Sequence, residues 1–195
     1  MVTAWEPEGL AEGVLLDVPA GPVAAAGATF VDCRLAGAVL TDADLARTTW
    51  RGGGLAGVRI VGGGLARSSW RDVVIEDCAL AGCELYGAVL RGVTVRRGAL
   101  DSVNLRGARL QDVVFEDCVL RDVDLGGASL VRVSFPGCRI ERLDLTRAVL
   151  EQVDLRGAEV EVARGIERLA GAIVDTGQLM ALAPALAAHL GLEVR

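Results

Sequence analysis

"WRGGGLAGVRIVGGGLARSSWR", Trp50 to Arg71, holds two patterns at once. Gly52-Gly53-Gly54-Leu55-Ala56-Gly57 satisfies G-x-G-x-x-G, the spacing of a phosphate-cradling dinucleotide loop. The same stretch also places an apolar residue at every fifth position: Trp50, Leu55, Ile60, Leu65 and Trp70. Followed outward, this second pattern runs from Phe30 to Val160 through 27 consecutive hits without an exception. Two residues before each hit the side chain is small or apolar, as in Ala28, Cys33, Ala38, Ala43, Thr48, Gly53 and Val58. The other three positions of each quintet carry nearly all the charge.

A period of five is neither helical nor that of a simple strand. Side chains two apart share one side of an extended chain, so each quintet is a very short strand with two inward groups, followed by a turn. Those groups are buried only if the chain keeps turning the same way around one axis, which is a β-solenoid. The inward columns give the number of sides. Ala88, Ala108, Ala128 and Ala148 form one column, and Val73, Val93, Val113, Val133 and Val153 another. Cys78, Cys118 and Cys138 form a third, with Gly98 in the gap. Trp50 sits over Trp70 and Phe115 over Phe135, while Leu45, Leu65, Leu85, Leu105, Leu125 and Leu145 make one line. Like over like every twenty residues means four sides of five. At the usual interstrand spacing of about 4.8 Å the array is nearly seven coils and roughly 33 Å long.

In this register Gly53 and Gly63 are inward, Gly54 and Gly64 outward, and Gly52, Gly57 and Gly62 lie in turns. A dinucleotide loop needs a helix after the glycines, and none starts inside an unbroken five-residue register. The glycines read instead as room for the indoles of Trp50 and Trp70.

The chain resembles the pentapeptide-repeat family, whose pattern is A-(D/N)-L-x-x. Ala43-Asp44-Leu45, Val103-Asn104-Leu105, Val123-Asp124-Leu125 and Val153-Asp154-Leu155 match it best. The resemblance implies an all-β fold, a right-handed quadrilateral β-helix, with a short C-terminal α-helix as cap. Residues 26–162 form the repeat array, 1–25 an N-terminal cap with an imperfect first coil, and 163–195 a return segment with a capping or dimerisation helix. Within 1–25, Leu15, Val18 and Val23 keep the five-residue beat, while Pro7, Pro19 and Pro22 preclude a regular element. The tail "DTGQLMALAPALAAHLG" reads as a helix with Asp175 or Thr176 as N-cap and Gly191 as its stop. Leu179, Leu182, Leu186 and Leu190 form one stripe, with Met180, Ala183 and Ala187 beside it. One stripe is expected to seal the last coil and the rest to meet a second copy in a tail-to-tail homodimer, with Pro184 kinking or splitting the helix.

Composition narrows the function classes. The chain has 195 residues, 52% hydrophobic but only 4% aromatic, and a net charge of −6, which argues against direct nucleic-acid binding. The N-terminus lacks a basic leader region and no apolar stretch is long enough to span a membrane, so a cytoplasmic chain with reduced thiols is expected. Catalysis needs converging polar groups, and the inward positions are apolar; the single histidine, His189, lies in the terminal helix. Cys33, Cys78, Cys83, Cys118 and Cys138 occupy inward columns, where cysteine behaves as a small hydrophobe. No catalytic residue, metal, cofactor or small-molecule substrate is expected.

What remains is the surface of a stiff rod. The uninterrupted array with a helical tail looks like the mycobacterial-type fluoroquinolone-resistance members, and that resemblance implies a protein partner: DNA gyrase or another type II topoisomerase, modulated by imitation of duplex DNA, with resistance to quinolones or toxins as the outcome. The alternative is a scaffold module with some other protein partner. Residues 28–162 hold 19 acidic and 17 basic side chains, and Glu76-Asp77, Arg96-Arg97 and Glu116-Asp117 form an acid–base–acid ladder at one corner. Asp42, Asp44, Glu84, Asp122, Asp124 and Asp144 fall along the third corner and fourth side, the candidate acidic partner-binding face. Arg51, Arg71 and Arg91 make a short basic row suited to an acidic partner.

Overall fold

The computed structural model describes residues 5–18 and 22–193. Short parallel strands wind into a four-sided solenoid of about 8 turns that ends in a single helix. Pairing is one coil to the next: Thr49-Trp50-Arg51 pairs with Thr29-Phe30-Val31 below and Ser69-Trp70-Arg71 above, always twenty residues apart. The first two sides share a 15-stranded sheet, and the third side forms a 7-stranded sheet that begins at Val39–Thr41 and ends at Glu159–Arg164. The fourth side is held by single bridges that run Ala24, Asp44, Gly64, Glu84, Asn104, Asp124, Asp144.

The corners explain why five residues suffice for a side. In every quintet from Gly27 to Gly157, the residue two after the inward position has positive φ. Where the fourth side meets the first, this residue is third in a β-turn, as in Thr48 N–H to Leu45 C=O at 3.3 Å and Ala108 N–H to Leu105 C=O at 3.0 Å. Positive φ at that place is the type II turn. Glycine, aspartate and arginine fill the corner column almost entirely.

Both inward columns are buried from Ala28 to Ala158 except at Gly53, Ile75 and Leu80, which are half-buried. Trp50 stacks on Trp70 with centroids 5.1 Å apart and planes 3° from parallel, and Phe115 on Phe135 with the same values. Phe30 and then Trp5 continue the tryptophan stack to the N-terminal end, at 4.2 and 5.4 Å. The Trp70 indole N–H donates to Ser68 Oγ at 2.8 Å. Trp50 Nε1 has no partner and is the only such buried side-chain nitrogen or oxygen among the described residues. All five cysteines are buried and free.

The glycines of the opening stretch are not spacers for the indoles. Gly53 has φ +68, and a Cβ there would strike the Cys33 carbonyl; one on Gly54 would strike the Val74 carbonyl, and one on Gly63 would lie 2.6 Å from Ile60 Cγ2. Backbone of neighbouring coils and aliphatic side chains, not Trp50 or Trp70, limit these positions.

Each end departs from the strict register. Leu10–Glu12 and Leu15–Leu16 pair with Thr29–Val31 and Arg34–Leu35 at a separation of nineteen residues. Ala11 and Leu16 therefore point inward, and Leu15 is exposed rather than on the inward beat; Val23 is buried and Val18 half-buried. Pro19 lies outside the described residues. At the other end Ala172–Ile173 pairs with Val153–Asp154, again nineteen apart, and Ala172 and Val174 pack on the core.

The helix spans Thr176–His189. Asp175 is its N-cap in a reciprocal capping box with Gln178, and Gly191, at φ 71, follows its C-cap Leu190. Pro184 neither ends nor splits the helix, which continues for five more residues around it; its ring lies on the exposed side, and the bond its missing N–H forfeits is one of a solvated face. Gln178 Nε2 donates to the carbonyls of Leu155 and, at 2.7 Å, Ala158. Thus the helix satisfies open carbonyls of the last coil. The leucine stripe does not seal that coil as a unit: Leu182 is buried and Leu186 half-buried, but Leu179 and Leu190 are exposed together with Met180. No helix among the described residues is long and apolar enough to cross a membrane.

Two glycines on opposite sides of the same coil test the close approaches. Gly53→Ala should lower unfolding free energy by roughly 2 kcal/mol or more, because the backbone cannot yield to a Cβ. Gly64→Ala, whose Cβ would meet only the Ala43 carbonyl at 3.8 Å, should be neutral or slightly stabilising. Urea titration of both variants measures this, and equal losses would contradict the packing described.

Candidate protein-interaction surface

The solenoid interior is packed with buried apolar side chains and five buried thiols. Burial pushes the thiols of Cys78 and Cys83 up, and the neighbouring Cys118 thiol and then burial push Cys138 up, which keeps them protonated and unreactive. A groove of about 410 Å³ lies between the helix and the last coil, lined by Ile140, Leu155, Ala158, Val160, Val174 and Leu182, among others. Carboxylates of Glu141, Glu159 and Glu161 border it, with no thiol or imidazole among the lining residues. His189 is exposed at the end of the helix. Among the described residues, no cluster of three or more His, Cys, Asp or Glu has the geometry to hold a metal ion.

The surface is ordered by the same twenty-residue spacing. The fourth side brings Asp44, Glu84, Asp124 and Asp144 into one file, bridged coil to coil through Gly64 and Asn104, and Asp42 and Asp122 stand in the corner column before it. All six residues of the acidic candidate face therefore border one side. Their surroundings divide them. Asp122 pairs with Arg142, Asp124 with Arg106 at 2.9 Å and Asp144 with Arg164 at 4.0 Å. Among the described residues Asp42 and Asp44 have no cationic partner, and Glu84 accepts only from Asn104 Nδ2 at 2.6 Å. The free negative charge sits toward the N-terminal half.

The file also has a structural task that spacing alone does not announce. Asp44, Asn104, Asp124 and Asp144 of the file, and Asp154 on the second side, each accept a hydrogen bond from the backbone N–H two residues on, at 2.7–3.1 Å. An aspartate or asparagine before the inward leucine thus caps the following corner. At Asp144, burial, which alone raises a carboxyl pKa, is outweighed by the hydrogen bonds from Thr146, and the group lies below its usual range.

The acid–base–acid ladder forms as the spacing predicts. Arg97 grips Asp77 through two bonds at 2.8 and 2.9 Å and also meets Glu76, while Arg96 bonds Glu116 at 2.8 Å. Two further corner stacks of the same kind, Arg132 on Asp112 and Arg142 on Asp122, are also bidentate. The signal for them in the sequence is aspartate and then arginine twenty residues later in the corner column. Hydrogen bonds from these arginines hold Asp77, Asp112 and Asp122 below the ordinary aspartate value of 3.8.

A folded-state pKa below the unfolded one gives stability that is fully present above the unfolded value and lost as pH falls through the folded value. The melting temperature should therefore hold from neutral pH to about pH 5 and drop below about pH 4. Replacing Arg97, Arg132 and Arg142 together by glutamine should flatten that acid drop, and an unchanged drop would show that the pairs contribute nothing; half a molar salt should narrow the difference.

Comparison with known proteins places the array. The model of pentapeptide repeats matches residues 100–137 in 8 copies. No curated protein matches the chain. Among solved structures, a trypsin-treated QnrB1, a plasmid-mediated fluoroquinolone resistance protein, is 16% identical, covering 96% of this chain and 99% of its own, with a TM-score of 0.39. HetL, a pentapeptide repeat protein involved in heterocyst differentiation regulation from the cyanobacterium Nostoc sp., is 18% identical over 88% of this chain and 89% of its own, with a TM-score of 0.42. Rfr23, from the cyanobacterium Cyanothece, is 18% identical over 67% and 89%, with a TM-score of 0.46. The repeat match covers residues 100–137, and the same five-residue register and four-sided coils extend to both sides of it, so the chain carries an array that resembles the pentapeptide-repeat proteins throughout.

Proposed function

We propose that the protein is a non-catalytic protein-binding module, and that its partner is DNA gyrase or a related type II topoisomerase, engaged through the acidic fourth side in place of duplex DNA. One observation carries the reading: Asp44, Glu84, Asp124 and Asp144 stand in one file, two coils apart and then one, with Gly64 and Asn104 between them, on a rod whose interior is filled by buried apolar side chains. From Asp44 to Asp144 the file is about 24 Å long at the interstrand spacing. A linear array of fixed negative charge is what a DNA-binding groove recognises first. Asp42, Asp44 and Glu84, free of arginine, carry that charge in this reading.

The neutralisation of Asp122, Asp124 and Asp144 by Arg142, Arg106 and Arg164 favours a second reading, a scaffold with another protein partner. A supercoiling assay with purified gyrase, with and without a fluoroquinolone, separates the two. Inhibition or drug protection at micromolar protein, weakened at least about tenfold by Asp42→Lys with Glu84→Lys, is the expected result. No effect of the native protein leaves the scaffold reading, and undiminished potency of the charge-reversed protein clears the acidic side.

The helix supports a homodimer. Leu179, Met180, Leu190 and Leu192 are each at least half exposed on one short tail, an apolar surface that a monomer leaves in water. Light scattering should give twice the monomer mass for the native chain and the monomer mass for Met180→Glu with Leu190→Glu. A native chain at the monomer mass would end the dimer reading.

A further inference from the structure

The arginines are unevenly paired. Ten of them sit in ion pairs. Among the described residues nine have neither an ion pair nor a side-chain hydrogen bond: Arg34 and Arg59 on the second and third sides, and seven on or beside the first side. Six of those seven stand close together. Arg47 and Arg67 occupy the corner leading into the first side, Arg51, Arg71 and Arg91 its far edge, and Arg109 its centre line. All six are exposed.

The cluster is built twice over. "ARTTWR" (46–51) recurs as "ARSSWR" (66–71) one coil later. In each copy the second hydroxyl, Thr49 or Ser69, lies half-buried between its two arginines, and the first, Thr48 or Ser68, turns inward to bond the Leu45 or Leu65 carbonyl at 2.8 or 2.7 Å. The stacked indoles of Trp50 and Trp70 back the strands. The guanidinium stems thus rise from backbone that is fixed before any partner arrives. Two acids border the patch, Asp32 and Asp72, each lying over the glycine one coil on, Gly52 and Gly92. Asp112 is held by Arg132, and Glu8 and Glu12 flank the N-terminal end. Six arginines against Asp32, Asp72, Glu8 and Glu12 leave the patch net positive on a chain of net charge −6.

We propose that this face is a docking surface for an acidic protein segment, its carboxylates received by the guanidinium pairs of successive coils. Arginine suits this task because its planar fork takes a carboxylate through two bonds. The patch covers four coils, about 14 Å, the reach of an extended segment of four or five residues. A nucleic acid fits less well. A long duplex would run past Glu8, Glu12 and Asp32 at one end, and a single strand would find one exposed ring, Tyr86 in the corner beside Arg67, where a strand of stacked bases needs a succession of them. This inference is independent of the topoisomerase reading and concerns a different side of the rod.

The test is fluorescence anisotropy at low salt with a labelled oligo-aspartate of about ten residues, long enough to span the patch. Replacing Arg51, Arg71 and Arg91 together by glutamine should weaken binding roughly tenfold, since none of them supports the fold through a pair. Replacing Arg34 and Arg59 together by glutamine, two equally unpaired arginines on other sides, should change it less than about twofold. Circular dichroism keeps both variants comparable with the native protein. No binding of the native protein at about a millimolar, or equal affinity of the triple variant, overturns the proposal. Tighter binding of a duplex oligonucleotide of equal charge also overturns it, and assigns the face to nucleic acid instead.

Discussion

Everything in this molecule depends on one backbone requirement: a residue in five must take a left-handed conformation. That residue turns the chain through a corner, and between corners only three residues remain to form a strand. With so short a side, each strand makes few bonds to its neighbour, and stability comes from repeating the arrangement along the axis. The corner column accordingly favours glycine, which bears positive φ without cost, and aspartate, which tolerates it. Arginine has no such excuse. At Arg97, Arg132 and Arg142 its place is explained by the carboxylate one coil before, which it grips with both arms of the guanidinium; at Arg47 and Arg67 no such partner exists, and that is where the positive face lies.

The interior was legible because two independent periods, five and twenty, agree on it. A side chain at an inward slot is fixed by its neighbours on the same coil and by those directly above and below, so the spacing alone stacks Trp50 over Trp70 and Phe115 over Phe135. The glycines were harder. Their slots were right, but their cause was not, since Gly53 answers to the Cys33 carbonyl of the preceding coil and not to a bulky neighbour in its own. A repeat tells which positions face each other and says little about how near two backbones come.

Legibility fails where the twenty-residue period does. A coil of nineteen at the N-terminus moves the inward beat from Leu15 to Leu16, and nothing in an apolar pair of adjacent leucines distinguishes them. In the C-terminal helix a leucine stripe was visible, but the contact that binds the helix to the coil is polar: Gln178 reaches the Leu155 and Ala158 carbonyls. An open sheet end needs donors as much as it needs cover, and hydrophobic spacing cannot reveal donors. The spacing brings the six acids to one side, whereas their division into free and neutralised halves depends on the distances to Arg106, Arg142 and Arg164.

Because every coil bonds only to the coils directly before and after it, a block of twenty residues is a removable and copyable unit. Duplicating one lengthens the rod by a single storey and leaves every face aligned with itself. The doubled "ARTTWR" and "ARSSWR" have the form such copying leaves behind. In this architecture the extent of a surface, the number of times a given group of side chains is offered to a partner, is inherited as a count of storeys, separately from the chemistry of any one of them.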